Sequence, residues 1–100
     1  MSDQALTVVA RVKAKVETLD AVKAMLRGLV GPTRQEPGCI RYVLHQSPDD
    51  PCSFIFLETW KSQGDLDAHL QKPYLQAFIG QADAVLAEPL DVTLWHALEP

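Results

Sequence analysis

Apolar and polar residues alternate from Leu6 to Lys13, with Leu6, Val8, Ala10 and Val12 on one side and Thr7, Arg11 and Lys13 mostly on the other. A period of two marks a strand with one buried face. From Leu19 the period lengthens: Leu19, Val22, Leu26, Leu29 and Val30 share a helical stripe, and Asp20, Lys23 and Arg27 lie opposite. Gly31-Pro32 is expected to kink or restart this helix, and Pro37-Gly38 to end it.

Residues 39–46 and 53–60 read as two strands around Ser47-Pro48-Asp49-Asp50-Pro51, a loop dense in turn formers, and so predict an antiparallel hairpin. Ser62 can cap the next helix, with Asp65 answering as in a capping box, and Leu66, His69 and Leu70 share one face of it. Pro73 suits the first turn of a further helix with Leu75, Phe78, Ile79, Ala82, Val85 and Leu86 inside, and Leu90 to Ala97 make a last strand.

This order predicts an α+β ferredoxin-like sandwich, a four-stranded antiparallel sheet with helices on one face. The strand at 53–60 complicates that picture, because Phe54, Phe56 and Trp60 occupy one parity and Ile55 and Leu57 the other. A solvated face would alternate cleanly, so the second face needs a cover. With no spare element to supply it, a second copy is expected there, giving a two-fold homodimer through the sheet face.

The chain of 100 residues is expected to form one domain over 1–100. Nine basic and thirteen acidic side chains give a net charge of -4 without a basic cluster, which speaks against nucleic acid as a partner. No apolar run approaches the ~18 residues of a membrane helix, and the start Met1-Ser2-Asp3-Gln4 lacks the pattern of a secretory leader. No membrane association and a cytoplasmic location are therefore expected. Cys39 and Cys52 fall on opposite hairpin arms, offset by roughly 26 Å at about 3.3 Å per residue, and should be free thiols.

The candidate chemistry lies between Gly38 and Phe78. His69, on the inner face of a short helix, suits a general base near neutral pH, although such a residue also serves as a hydrogen-bonded core histidine. Glu58 shares parity with Phe54, Phe56 and Trp60, so it points to an apolar face and needs a partner, either His69 or Arg41. If hairpin partners sum to 99, Glu58 faces Arg41; if they sum to 100, it faces Tyr42. Tyr42, Tyr74 and Trp60 combine apolar bulk with a polar tip and can hold a flat ring. His45 and His96 lie near strand ends, and Asp49 and Asp50 shape the turn. No spacing suggests zinc, a nucleotide loop or a Ser-His-Asp triad, so an enzyme built on these residues is expected to need no bound cofactor and no metal.

The run Arg34-Gln35-Glu36-Pro37-Gly38-Cys39, followed by Tyr42-Val43-Leu44-His45, Asp50-Pro51, Phe54, Glu58-Thr59-Trp60, Leu66, Ala68-His69-Leu70, Pro73-Tyr74 and Phe78, resembles the antibiotic biosynthesis monooxygenase domain, particularly its small quinol-monooxygenase-like branch. The resemblance spans nearly the whole chain and implies a dimeric α+β barrel. It also implies oxidation of a small quinol or phenolic ligand by molecular oxygen without metal or flavin. His69 would then be the base, Glu58 would orient it, and Trp60, Tyr42 and Phe78 would hold the ring. Many members have His where this chain has Tyr74. Haem-degrading relatives need a His on the last helix and an Asn on the first strand, whereas this chain has Phe78-Ile79-Gly80 and no such Asn, so haem is disfavoured. Two other functions fit the same pocket: an isomerase of a small hydroxy-carbonyl compound, with Lys61 or Arg41 on a phosphate, and a ligand-binding dimer without turnover.

Overall fold

A computed structural model describes residues 4–98. The chain runs β1 (Leu6–Lys13), a 3-10 turn (Val16–Thr18), α1 (Leu19–Arg34), β2 (Cys39–Gln46), β3 (Ser53–Trp60), α2 (Gln63–Leu70), α3 (Pro73–Val85) and β4 (Asp91–Trp95). The strands form one antiparallel sheet in the order β2-β3-β1-β4, the ferredoxin-like arrangement.

The alternation in β1 does what its period demands: Leu6, Val8, Ala10 and Val12 are buried. They pack with Phe54, Phe56 and Trp60 of β3 and with Val22, Leu26 and Leu29 of α1 in one core. Each such large side chain contributes about 1.5–3 kcal/mol on leaving water. The helix stripe stays in phase to Thr33, and α1 is not restarted at Gly31-Pro32 as the sequence led one to expect. Pro32 falls in the last turn on the exposed side, where one lost backbone bond is tolerated. The last strand is shorter than Leu90–Ala97, because only Asp91–Trp95 pairs with β1.

Both hairpin registers occur. Cys39 pairs with Trp60, a sum of 99, and a bulge at Ile40 then shifts the pairing to Arg41↔Thr59 and Tyr42↔Glu58, a sum of 100. Glu58 therefore faces Tyr42 and shares the buried face with it, while Arg41 points to the opposite face. At the other end of the hairpin the Lys13 ammonium pairs with Asp50, whose carboxylate also accepts from Ser53 Oγ and the Cys52 backbone. The Lys13 bond and those two hydrogen bonds hold the Asp50 carboxyl down at about 2. Cys39 and Cys52 are free thiols.

On the sheet face away from the helices, Thr93, Val9, Leu57 and Val43 form a continuous row across all four strands. Trp95 extends this surface and is 57% exposed.

Candidate active site

α2 begins as its sequence requires: Ser62 Oγ accepts from the Asp65 backbone N–H at 3.2 Å and donates to the Asp65 carboxylate at 2.9 Å. A Cβ on Gly38 would collide with the Asp65 side chain, so only glycine lets the entry to β2 come this close to the first turn of α2. One turn after Asp65, His69 enters the core at 2% exposure. Its ring lies against Trp60, with centroids 4.5 Å apart, and meets Tyr42 edge-on at 5.6 Å.

The partner of His69 is Glu36, which reading the sequence did not single out. His69 Nδ1 lies 2.8 Å from Glu36 Oε2, with both side chains buried. The Tyr74 hydroxyl donates to the same oxygen at 2.5 Å. Partial burial and this bond to a carboxylate push the Tyr74 phenol up to about 12, so it remains a donor at neutral pH. Glu36 and His69 are 33 apart in sequence, and no local spacing connects a carboxylate at a helix end with a histidine on another helix.

Glu58 orients neither His69 nor Arg41. Its Oε1 accepts from the Trp60 indole N–H at 2.8 Å, which gives the buried carboxyl a partner without a positive charge. Burial is the main cause that pushes Glu58 up to about 7; the indole bond opposes the rise and the Glu36 charge adds to it. Burial, reinforced by the Glu58 charge, also lifts the Tyr42 phenol well above its ordinary range. The Thr33 hydroxyl beside Tyr42 opposes that lift, although Thr33 Oγ1 lacks a partner of full hydrogen-bond geometry. Tyr42 stacks on Phe56 with centroids 4.6 Å apart.

These groups surround a cavity of about 70 Å³ between sheet and helices. Tyr42, Glu58, His69 and Phe78 line it together with Ala10, Val12, Leu29, Phe56, Leu70, Leu75, Ile79, Leu90 and Val92. Trp60 and Tyr74 do not line it. Trp60 donates to Glu58 and Tyr74 to Glu36, so in this structure the two expected ring-holding residues support the two carboxyl groups. Ile79 and Val92 are partly exposed and form the mouth. Among the described residues, no Lys or Arg reaches the cavity. A larger open groove of about 630 Å³ lies elsewhere, between Arg11, Lys13, His45 and Glu88, and shares only Val12 with the cavity walls. The described residues contain no cluster of His, Cys, Asp and Glu able to hold a metal ion and no helix long and apolar enough to cross a membrane.

A ferredoxin-like domain with a buried His–carboxylate pair beside an apolar chamber is the class that fold and site define. Residues 5–81 match the family model of antibiotic biosynthesis monooxygenases, and the chain belongs to that family. Protein sll1783 of Synechocystis is 30% identical over 98 residues, covering 98% of this chain and 67% of that one. The Mycobacterium tuberculosis protein named "Putative monooxygenase Rv0793" is 30% identical over 94 residues, 94% of this chain and 92% of its own. Its solved structure superposes with a TM-score of 0.91 at 29% identity, covering 97% and 98% of the two chains. PA3566 of Pseudomonas aeruginosa superposes at 0.92, with 28% identity and 99% of each chain covered. The function that the family supports is of the monooxygenase type.

Proposed function

We propose that this protein oxidises a small, neutral phenol or hydroquinone with molecular oxygen and without a bound cofactor, with His69 as the base and Glu58 as the acid. The observation that carries the reading is a small apolar cavity lined by the His69 ring and by a carboxyl that titrates near 7. The Glu58 carboxyl and the lack of a cation in its lining favour a ligand that enters uncharged. The same feature weighs against the hydroxy-carbonyl isomerase, whose phosphate needs a Lys or Arg at the site; Arg41 lies on the far face of the sheet.

The chemistry balances with these two groups. His69 takes a phenolic proton, and the electron-rich phenolate reduces oxygen and bonds to it at a ring carbon. Protonated Glu58 delivers its proton to the peroxide anion. The Glu58 carboxylate then removes the hydrogen of that ring carbon as the O–O bond breaks, and the departing hydroxide takes the proton held on His69. Hydroquinone and oxygen thus give hydroxyquinone and one water, all electrons come from the substrate, and both side chains return to their starting state. Tyr42, Phe56 and Phe78 supply the aromatic walls.

The proposal includes a homodimer in which the row Thr93, Val9, Leu57 and Val43 packs on its own copy. Oxygen consumption with monocyclic hydroquinones tests the reaction. Wild type should exceed the spontaneous rate, and His69→Ala should fall to it; equal rates for the two proteins would overturn the assignment of the base.

A further inference from the structure

We infer that Glu36 is the positioning residue of this site, holding His69 as the Nδ1–H tautomer so that the Nε2 lone pair is the basic atom offered to the cavity. The inference deepens the reading of His69 as base and rests on it. A neutral imidazole carries one N–H, and the hydrogen bond made by one nitrogen decides the role of the other. Here Nδ1 meets Glu36 Oε2 at 2.8 Å, and Nε2 has no hydrogen-bond partner among the described residues. The same carboxylate oxygen accepts from Tyr74, so it presents lone pairs to both neighbours.

Three further observations hold the Glu36–His69 pair in place. Its backbone N–H donates to Thr33 O and its carbonyl accepts from Cys39 N–H, each at 3.0 Å, so the residue cannot swing away with its turn. Two residues on, Gly38 seats against Asp65, one helical turn before His69. The turn thus grips α2 at two points on one side of the helix. Trp60 and Tyr42 flank the imidazole and oppose a ring flip that would exchange its nitrogens.

The tautomer is read directly by two-bond ¹H–¹⁵N correlation spectra of the ligand-free protein, recorded where His69 is neutral. Wild type should show a protonated Nδ1 and an unprotonated Nε2. Glu36→Ala should move the proton largely to Nε2, Glu36→Gln should give a mixture, and Tyr74→Phe should retain Nδ1–H. With hydroquinone, Glu36→Gln should lower kcat by about 100-fold and leave KM within about twofold, the signature of a misplaced group rather than weakened binding. A wild-type ring protonated on Nε2 would overturn the inference, as would a well-dispersed Glu36→Gln spectrum with the wild-type tautomer and undiminished kcat. Because the spectra need no turnover, a wild type that consumes no oxygen would overturn the monooxygenase reading, while the tautomer alone decides the role of Glu36.

Discussion

The Trp60 indole donates to Glu58 Oε1 from two positions along the same strand, so both side chains point into the core and the carboxyl has a partner that carries no charge. Burial nevertheless outweighs that bond and favours the protonated acid, which titrates near 7 instead of 4.5. Between those values the folded protein keeps a proton that the unfolded chain has lost. This contribution to stability is complete below about 4.5, declines as pH rises to about 7 and is constant above. Glu58→Gln removes the titration, so its stability relative to wild type should rise by roughly 1–3 kcal/mol between about pH 4.5 and about pH 8, measured by urea unfolding. Asp50, held at about 2, loses its contribution only in more acidic solution and does not enter this window. A constant difference between the two proteins would refute the raised titration.

Gly38→Ala should destabilise the fold by about 1–3 kcal/mol, because the new methyl must displace Asp65 and with it the start of α2. Gly28→Ala provides the opposite case. It adds a methyl to an exposed helical position with open space around it and should stabilise by about 0.4–1 kcal/mol. Thermal and urea unfolding of both variants test the pair; equal effects would deny Gly38 its packing role.

Ile79 and Val92 set the width of the entrance. The cavity is about 70 Å³, against about 150 Å³ for an engineered apolar cavity that holds benzene, so a ring enters by displacing the residues at the mouth. Ile79→Ala should raise kcat/KM for an alkyl-substituted hydroquinone relative to the unsubstituted one by about tenfold. An unchanged ratio would place the entrance elsewhere.

Leu57→Lys puts an ammonium between Val9 and Val43 in this row and should convert a dimer to a monomer while β3 keeps its pairing, since the change is on the face away from the helices. Light scattering at micromolar concentration decides it, and a wild type of monomeric mass would end the dimer proposal.

Much of this architecture is legible in the order of residues because its signals are local. β1, β2, β3 and the start of α3 fall where alternation, turn formers and Pro73 put them, and Ser62 caps α2 as a short motif demands. The register of Glu58 was not legible, because the bulge at Ile40 lets both pairings exist in one hairpin. Glu36 was missed for a related reason. Its link to His69 is made only when α1, α2 and α3 converge, and Pro37-Gly38 draws attention to the end of a helix instead of the carboxylate before it. The polar tips of Trp60 and Tyr74 are legible in the residue types, but periodicity places a side chain on a face and does not say whether it borders a cavity or stands behind one.

On the proposed reading, the base His69, the acid Glu58 and the Glu36 that positions the base lie in one continuous stretch with their supports Trp60 and Tyr74, whereas the mouth residues Ile79 and Val92 lie further along. Reactivity and size selection, so assigned, lie on separable lengths of chain. Changes beyond Tyr74 would then retune which molecules are admitted and leave the proposed acid and base in place.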